Sequence, residues 1–277
     1  MWTCSLDGPS KGQLEPIAAA FGQRNPGYGL AWHPAVVHLA ATPSTRIAFV
    51  QRGEGLARVG GSSSPVGPGD VLLLAQDEAL ECEAPLSLLV FALPGPAPEG
   101  VPTFLRPDHD PRLTDTPGGC AEEQDAYRRL VLTWSPEAGP FVCRELNAHR
   151  VRMWDSFSHY HPVEGGFEEL YLVQDAPPGA RLHWAPDAES IERSAEWTRD
   201  QAGSWMRTLP LEANQLVVIP RGTMHRAIGG ALAQVITVPG FVPQREIGLD
   251  RQLQQIQERF RFEGERAIAY RSGGAKG

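Results

Sequence analysis

Short apolar runs separated by turn residues recur along the chain and predict strands. The eight clearest runs lie at 46–51, 55–59, 70–75, 86–93, 169–174, 180–185, 214–220 and 233–240. The 29 glycines and 25 prolines are scattered between such runs, as expected where many short strands are joined by tight turns. The pattern therefore predicts an all-β protein.

One stretch interrupts this pattern and marks a junction. Residues 94–119 are dense in proline and turn residues, which neither pair in a sheet nor continue a helix. The length supports a division there, because 277 residues exceed one domain of ordinary size. The predicted organisation is a first β domain over 1–95, a linker over 96–120, a second β domain over 121–245, and a helix and tail over 246–277.

The last apolar segment has a different period. Within residues 249–260 the apolar side chains recur at helical spacing, at Leu249, Leu253, Ile256 and Phe260. This spacing predicts an amphipathic helix that packs on a barrel or on a partner.

Composition and charge narrow the classes of partner. Hydrophobic residues make up 42% and charged residues 21%, which is ordinary for a globular protein with a sizeable core. The 33 Asp and Glu against 25 Lys and Arg give a net charge of -8, so there is no basic stripe for nucleic acid. The chain does not open on a charged lead and apolar run, and no stretch of 18 apolar residues occurs. We therefore expect a cytoplasmic protein with no membrane partner.

The cysteines carry no recognisable motif. Cys4, Cys82, Cys120 and Cys143 are far apart and form no Cys-x-x-Cys pair. This argues against a disulfide scaffold or a zinc knuckle. We expect free, reduced thiols.

A set of potential metal ligands stands in the second half. His159 and His161 are two residues apart, so on a strand both imidazoles project from the same face. In the next strand Glu169 shares a face with Tyr171, and a carboxylate joins the histidines if that face is interior. Further on, a Pro-x-Gly turn would bring His225 back toward the same cavity. Such ligands suit one divalent ion of Zn, Mn, Fe, Ni or Co, and the set does not choose among them.

These segments resemble the two motifs of the cupin family. The first motif is G-x5-H-x-H-x3-4-E-x6-G and the second is G-x5-P-x-G-x2-H-x3-N. The matching residues are His159, His161, Glu169, Pro220, Gly222 and His225. The departures are Met153, Ala176, Asn214 and Gly229 at the Gly and Asn positions, and a loop of seven residues before Glu169.

The resemblance implies a fold and a ligand set. The fold is all-β, with two cupin (jelly-roll) β-barrels in tandem and a C-terminal helix. The metal ligands are His159, His161, Glu169 and His225. The longer loop leaves Glu168 open as an alternative to Glu169, although Glu169 fits the family pattern better because it directly precedes the apolar strand.

The same frame can be laid on the first half of the chain. It puts Ala40, Thr42, Arg46 and Leu80 at the four ligand positions. None of these residues matches the family's ligand pattern. The first half therefore resembles a cupin barrel without a metal.

The order and spacing of the motifs are similar to those of bacterial sugar-acid isomerases, especially the 5-deoxyglucuronate isomerases and the related 5-keto-4-deoxyuronate isomerases. This resemblance implies aldose–ketose isomerisation of a small acidic sugar, with the metal polarising a carbonyl and its neighbouring hydroxyl. Glu168 or Tyr171 would then be the candidate base. Arg221 would be the candidate for holding the substrate carboxylate.

Two other functions stay open at this point. One is an Fe(II)-dependent dioxygenase acting on a small chelating substrate, and the other is a non-enzymatic barrel that binds a small ligand. We expect a homodimer, because cupin barrels commonly pair through exposed sheet edges. Among the remaining histidines we interpret four as surface or hydrogen-bonded residues and leave His183 undecided; the four are His33, His38, His109 and His149.

Overall fold

The computed structural model describes residues 1–7, 11–118 and 126–271. Its strands are β1 (Trp2–Ser5), β2 (Gly29–Leu39), β3 (Arg46–Arg52), β4 (Gly55–Val59), β5 (Ser62–Val66), β6 (Val71–Leu74), β7 (Leu80–Ala92), β8 (Phe104–Leu105), β9 (Arg128–Leu132), β10 (Asn147–Asp155), β11 (His159–Tyr160), β12 (Glu168–Asp175), β13 (Arg181–Ala185), β14 (Arg207–Pro210), β15 (Gln215–Ile219), β16 (Met224–Val238) and β17 (Ile247–Gly248). Its α-helices are α1 (Lys11–Arg24), α2 (Arg199–Trp205) and α3 (Asp250–Phe260).

These strands form two sheets. Strands β2 to β8 make a seven-stranded sheet in which β5, β4, β7, β3, β6 and β8 are neighbours in that order. Strand β1 and strands β9 to β17 make a ten-stranded sheet whose main path runs β1, β15, β12, β16, β10 and β9. Each predicted strand run falls on one of these strands. The all-β fold class is confirmed.

Strand β3 is apolar at four successive positions, Ile47 to Val50, because both of its faces are buried. Ile47 and Phe49 belong to a core that both sheets share. Ala48 and Val50 belong to a second core built from the seven-stranded sheet alone. Because successive side chains of a strand point to opposite faces, a strand buried on both faces is apolar at every position.

Helix α1 and strand β1 connect the two halves. Leu14, Ile17 and Phe21 of the helix lie in the shared core, where the ring of Phe21 meets that of Phe91 edge to face at 5.9 Å. Strand β1 pairs antiparallel with β15 of the ten-stranded sheet. The strand pattern did not predict these two elements, and the domain boundaries at 95, 120 and 245 stay predictions.

Two expectations from the sequence can be compared with the described residues. The stretch 94–119 is predicted not to pair in a sheet, and this is wrong at Phe104–Leu105, which pair with β6. These two residues can pair because, unlike proline, they have backbone N–H groups, and their side chains are apolar. Cys4, Cys82 and Cys143 are free thiols, while Cys120 lies outside the described residues.

The predicted C-terminal helix is present as α3. Its buried apolar side chains, Leu253 and Ile256, pack in a further core with Tyr160 and Met224. The helix is therefore held against the strands that carry His159 and His225. Among the described residues, no helix combines the length and the hydropathy that crossing a membrane requires.

Candidate metal centre

Strand β12 places a carboxylate inside the second barrel, which the ten-stranded sheet forms. Tyr171 and Val173 lie in a core formed by the ten-stranded sheet, whereas Leu170 and Leu172 lie in the shared core on the opposite face. Glu169 is two residues before Tyr171, so its side chain points to the barrel interior, where it is buried. The predicted alternation along this strand is confirmed.

A turn brings the third histidine opposite the first two. Gly222 adopts a φ of +78°, which favours glycine because it has no Cβ. The Gly222 N–H donates to the carbonyl of His161 at 2.7 Å. After this turn, β16 pairs with β11 so that His225 faces His159 across the sheet. The Pro-x-Gly turn therefore has the predicted effect.

The four predicted ligands converge. One ligand atom from each of His159, His161, Glu169 and His225 lies within 4.8 Å of all the others. The Nε2 atom of His225 is 3.3 Å from Oε1 of Glu169, and that of His161 is 3.7 Å from Oε2. Glu169, rather than Glu168, is the carboxylate that joins the histidines.

The orientation of the imidazoles fits a metal ion. The Nδ1 atoms of His159 and His225 lie 3.1 Å from the carbonyls of Phe157 and Thr223, and such bonds fix a ligating ring and its tautomer. The buried Nε2 atoms of all three histidines have no hydrogen-bond partner among the described residues. Buried polar atoms are rarely left so. Three imidazole nitrogens and one carboxylate are donors that divalent transition metals accept.

The electrostatics favour the metal-binding forms of Glu169 and His159. Burial and the neighbouring His225 lower the pKa of His159 to about 3. Burial would raise the pKa of Glu169, but the three imidazoles, His225 first, hold it well below its usual range. Burial would lower the pKa of His225, and the Glu169 carboxylate raises it instead. Glu169 is therefore an anion at neutral pH, and His159 is a neutral imidazole.

Two aromatic rings cover the imidazoles. Phe157 stacks on His159 with ring centroids 4.4 Å apart. Phe167 lies against His161 at 3.9 Å. These rings limit rotation of the two histidines and shield the site from water.

Two of the predicted catalytic residues lie elsewhere. Glu168 precedes Glu169 and points to the opposite face, where it is fully buried. Its carboxylate accepts from Arg24 Nε at 2.5 Å and from Nη2 at 3.1 Å. Arg221 lies 3.6 Å from the same carboxylate and donates to Asn25 Oδ1 at 2.7 Å. The geometry argues against the roles predicted for Glu168 and Arg221, because both side chains hold α1 to the second barrel.

Tyr171 lies on the interior face, next to the site. It is fully buried, and its ring centroid is 6.3 Å from that of His225. It packs with Val151, Met153 and Val235 in the core of the barrel. Tyr171 is therefore a core residue beside the cluster, and its role as a base stays a prediction.

Sequence reasoning missed Glu246. Strand β17 pairs with β11, which brings the carboxylate of Glu246 to 3.5 Å from the Nε2 atom of His159. No local pattern marks this residue, because it reaches the site only through a pairing between segments far apart in sequence.

The other histidines lie in different environments. His38 and His109 are exposed. His183 Nδ1 lies 3.1 Å from Thr208 Oγ1, on a strand beside the site but outside the cluster. His149 is different from the prediction of a plain surface or hydrogen-bonded residue, since it lines the same cavity as Glu169.

Comparisons with known proteins support the fold. No protein-family profile and no curated protein matches the sequence. The structure is similar to an IolB-like protein from Salmonella typhimurium LT2, with a TM-score of 0.52 and 16% identity over 83% of this chain and 89% of that chain.

Other solved structures align at lower scores. A cupin 2 conserved barrel domain protein from Leptotrichia buccalis has a TM-score of 0.45 and 10% identity over 78% of this chain and 85% of that one. Oxalate decarboxylase from Lactobacillus farciminis has a TM-score of 0.48 and 15% identity over 88% and 87%. The likeness to the IolB-like protein supports the tandem cupin (jelly-roll) fold that the motifs predicted, and at 16% identity it shows the fold alone.

Proposed function

We propose that this chain with a tandem cupin fold is a metal-dependent isomerase that interconverts the aldose and ketose forms of a small acidic sugar. The observation that carries the proposal is the buried cluster of His159, His161, Glu169 and His225, whose three Nε2 atoms have no hydrogen-bond partner among the described residues. The motif order, similar to that of the 5-deoxyglucuronate isomerases, supports this reaction class, and the fold likeness to an IolB-like protein is compatible with it.

Such a reaction needs a Lewis acid and a group that moves a proton, and the site offers candidates for both roles. A bound divalent ion would supply Lewis-acid polarisation of the substrate carbonyl and of its neighbouring hydroxyl. Isomerisation also requires a group that moves a proton between neighbouring carbons. The carboxylate of Glu246 lies 3.5 Å from His159 Nε2 and is the candidate for this group. Phe157 and Phe167 exclude water from the ligating imidazoles.

Turnover of uronates tests the proposal. Protein purified without chelator should contain one divalent ion per chain, and it should isomerise 5-deoxyglucuronate or a related uronate without consuming oxygen. Removing the ion with a chelator should abolish turnover, and adding it back should restore it, because the polarising group is lost and regained. Product formation can be followed by proton NMR. Oxygen uptake that depends on substrate would instead identify a dioxygenase, and failure to turn over any uronate would contradict the proposal.

Replacing Glu246 with Gln tests the proton-moving residue. We expect kcat to fall by about 100- to 10,000-fold, the usual contribution of a positioned acid–base group. The metal content should be unchanged, because Glu246 is outside the four-residue cluster. Glu164→Gln is the matched control, since this carboxylate is exposed on the loop before Glu169. Full turnover by E246Q would rule out this role.

A further inference from the structure

A small cavity adjoins the metal centre within the second barrel. It measures about 90 Å³ and is lined at one end by Glu169 and Glu246. Its other lining residues include Arg128, His149, Thr237 and Trp134. The volume admits several water-sized groups, so the cavity suits part of a small molecule rather than a polymer.

Strand register explains why these side chains meet. Thr237 of β16 is opposite Glu169 of β12 on one side and opposite Asn147 of β10 on the other. His149 is two residues after Asn147 and is opposite Leu130 of β9. Residues two apart on a strand share a face, so Asn147 and His149 share one face, and Leu130 and Arg128 share another. A row of side chains therefore runs from Glu169 across β16 and β10 to the face of β9 that carries Arg128.

Two buried polar atoms in this row lack partners. Thr237 is 3% exposed, and its Oγ1 atom has no hydrogen-bond partner among the described residues. The same holds for the inaccessible Nε2 atom of His149. Leaving a buried polar group without a hydrogen-bond partner is unfavourable, so both atoms are placed for a ligand that hydrogen-bonds.

The far end of the cavity carries a positive charge. Arg128 is the one Arg or Lys among the described residues that line the cavity. Its Nη1 donates to the carbonyl of Thr116 at 3.1 Å, which orients the guanidinium. Burial and the charge of Arg128 lower the pKa of His149 to about 3. The imidazole of His149 is therefore neutral and does not compete with Arg128 for an anion.

The charge distribution gives the cavity a direction. Its two carboxylates, Glu169 and Glu246, lie at the end where the metal ligands converge. We infer that Arg128 binds a carboxylate of the substrate, while Thr237 and His149 hydrogen-bond to its hydroxyl groups. This inference rests on the proposed function, because it assumes that the other end of the substrate faces the metal. In this role Arg128 takes the place of Arg221, the residue that the sequence suggested, because the side chain of Arg221 contacts Asn25 and Glu168 instead.

Binding measured without turnover tests this role. Calorimetric titration of metal-loaded protein with D-glucuronate and with D-glucuronamide compares a carboxylate with its uncharged amide. We expect the wild-type protein to bind glucuronate at least about 10-fold more tightly than the amide. Arg128→Gln should weaken glucuronate binding by about 10- to 100-fold and leave binding of the amide nearly unchanged. Arg128→Lys keeps the charge and should retain part of the preference.

The matched control is Arg129→Gln. Arg129 is the next residue on β9, and its side chain contacts Asp115 and the carbonyl of Pro107 instead of the cavity. R129Q should bind both sugars like the wild type. Thermal melting and metal analysis of every variant check that the fold and the metal centre persist, and R128K provides the comparison if R128Q does not fold.

The outcomes separate this inference from the proposed function. Equal binding of glucuronate by R128Q and the wild-type protein, or no preference for glucuronate over the amide, would overturn the role of Arg128. Turnover of uronates with an unchanged KM in R128Q would overturn it as well, while leaving the isomerase proposal intact. Carboxylate binding that depends on Arg128 without turnover of any uronate would support the inference and contradict the isomerase.

Discussion

Replacing His225 with Gln should remove the metal from the second barrel. His225 is fully buried, and its Nε2 atom lies 3.3 Å from the Glu169 carboxylate, so no water can replace it without opening the core. Loss of a partner that only orients a ligand weakens metal binding by about 10- to 100-fold. Loss of a ligand itself should therefore weaken it by at least about 100-fold. Elemental analysis of the purified protein measures this directly.

A melting experiment gives a second readout. A metal that binds the folded chain raises its stability in proportion to the logarithm of the metal concentration over Kd. Adding metal to the chelator-treated wild-type protein should raise its Tm, whereas adding it to H225Q should not. His183→Gln is the matched control, because His183 lies on the neighbouring strand, hydrogen-bonded to Thr208, and is outside the cluster. Metal binding by H225Q at wild-type affinity would exclude the proposed centre.

Replacing Glu168 with Ala should destabilise the fold without emptying the metal centre. Glu168 is fully buried and faces both Arg24 and Arg221, so its removal leaves two guanidinium groups without their shared anion. Breaking a buried ion pair costs about 3–5 kcal/mol. Because the Arg24 side chain is 26% exposed, we expect about 2–4 kcal/mol, allowing for solvent screening. The free energy of unfolding in urea measures the loss.

The matched control for E168A is Glu83→Ala. Glu83 pairs with Arg58, and both side chains are about half exposed. Surface pairs of this kind contribute at most about 1 kcal/mol, so E83A should unfold near the wild-type urea concentration. If E168A instead kept wild-type stability and lost turnover, Glu168 would be catalytic, as the sequence first suggested, and the structural role assigned to it would be wrong.

Local patterns and the family resemblance together predicted the four residues that converge. His159 and His161 are two residues apart, and His225 follows a turn whose proline and glycine mark its geometry. Glu169 was preferred over Glu168 because it fits the family pattern, in which the carboxylate directly precedes an apolar strand. The two inferences about the histidines depend on a period of two residues and on one tight turn. Both act over a few residues, so they require no knowledge of distant segments.

The rest of the site depends on pairing between distant segments. Glu246 arrives through β17, which pairs with β11 some 90 residues earlier. Arg24 reaches Glu168 across 144 residues. Arg128 and His149 join the cavity because β9 and β10 extend the row that starts at Glu169. An arginine or glutamate in a loop or edge strand carries no local mark of such a partner.

The amino-acid sequence by itself determined the β-rich architecture, the C-terminal helix and the candidacy of His159, His161 and His225, because hydrophobic alternation and turn chemistry act over a few residues. Only the tertiary structure decided which acidic and basic side chains face the cavity and which hold α1 in place. Neighbouring residues such as Glu168 and Glu169 are chemically alike, and their environments differ only after both faces of the strand are packed.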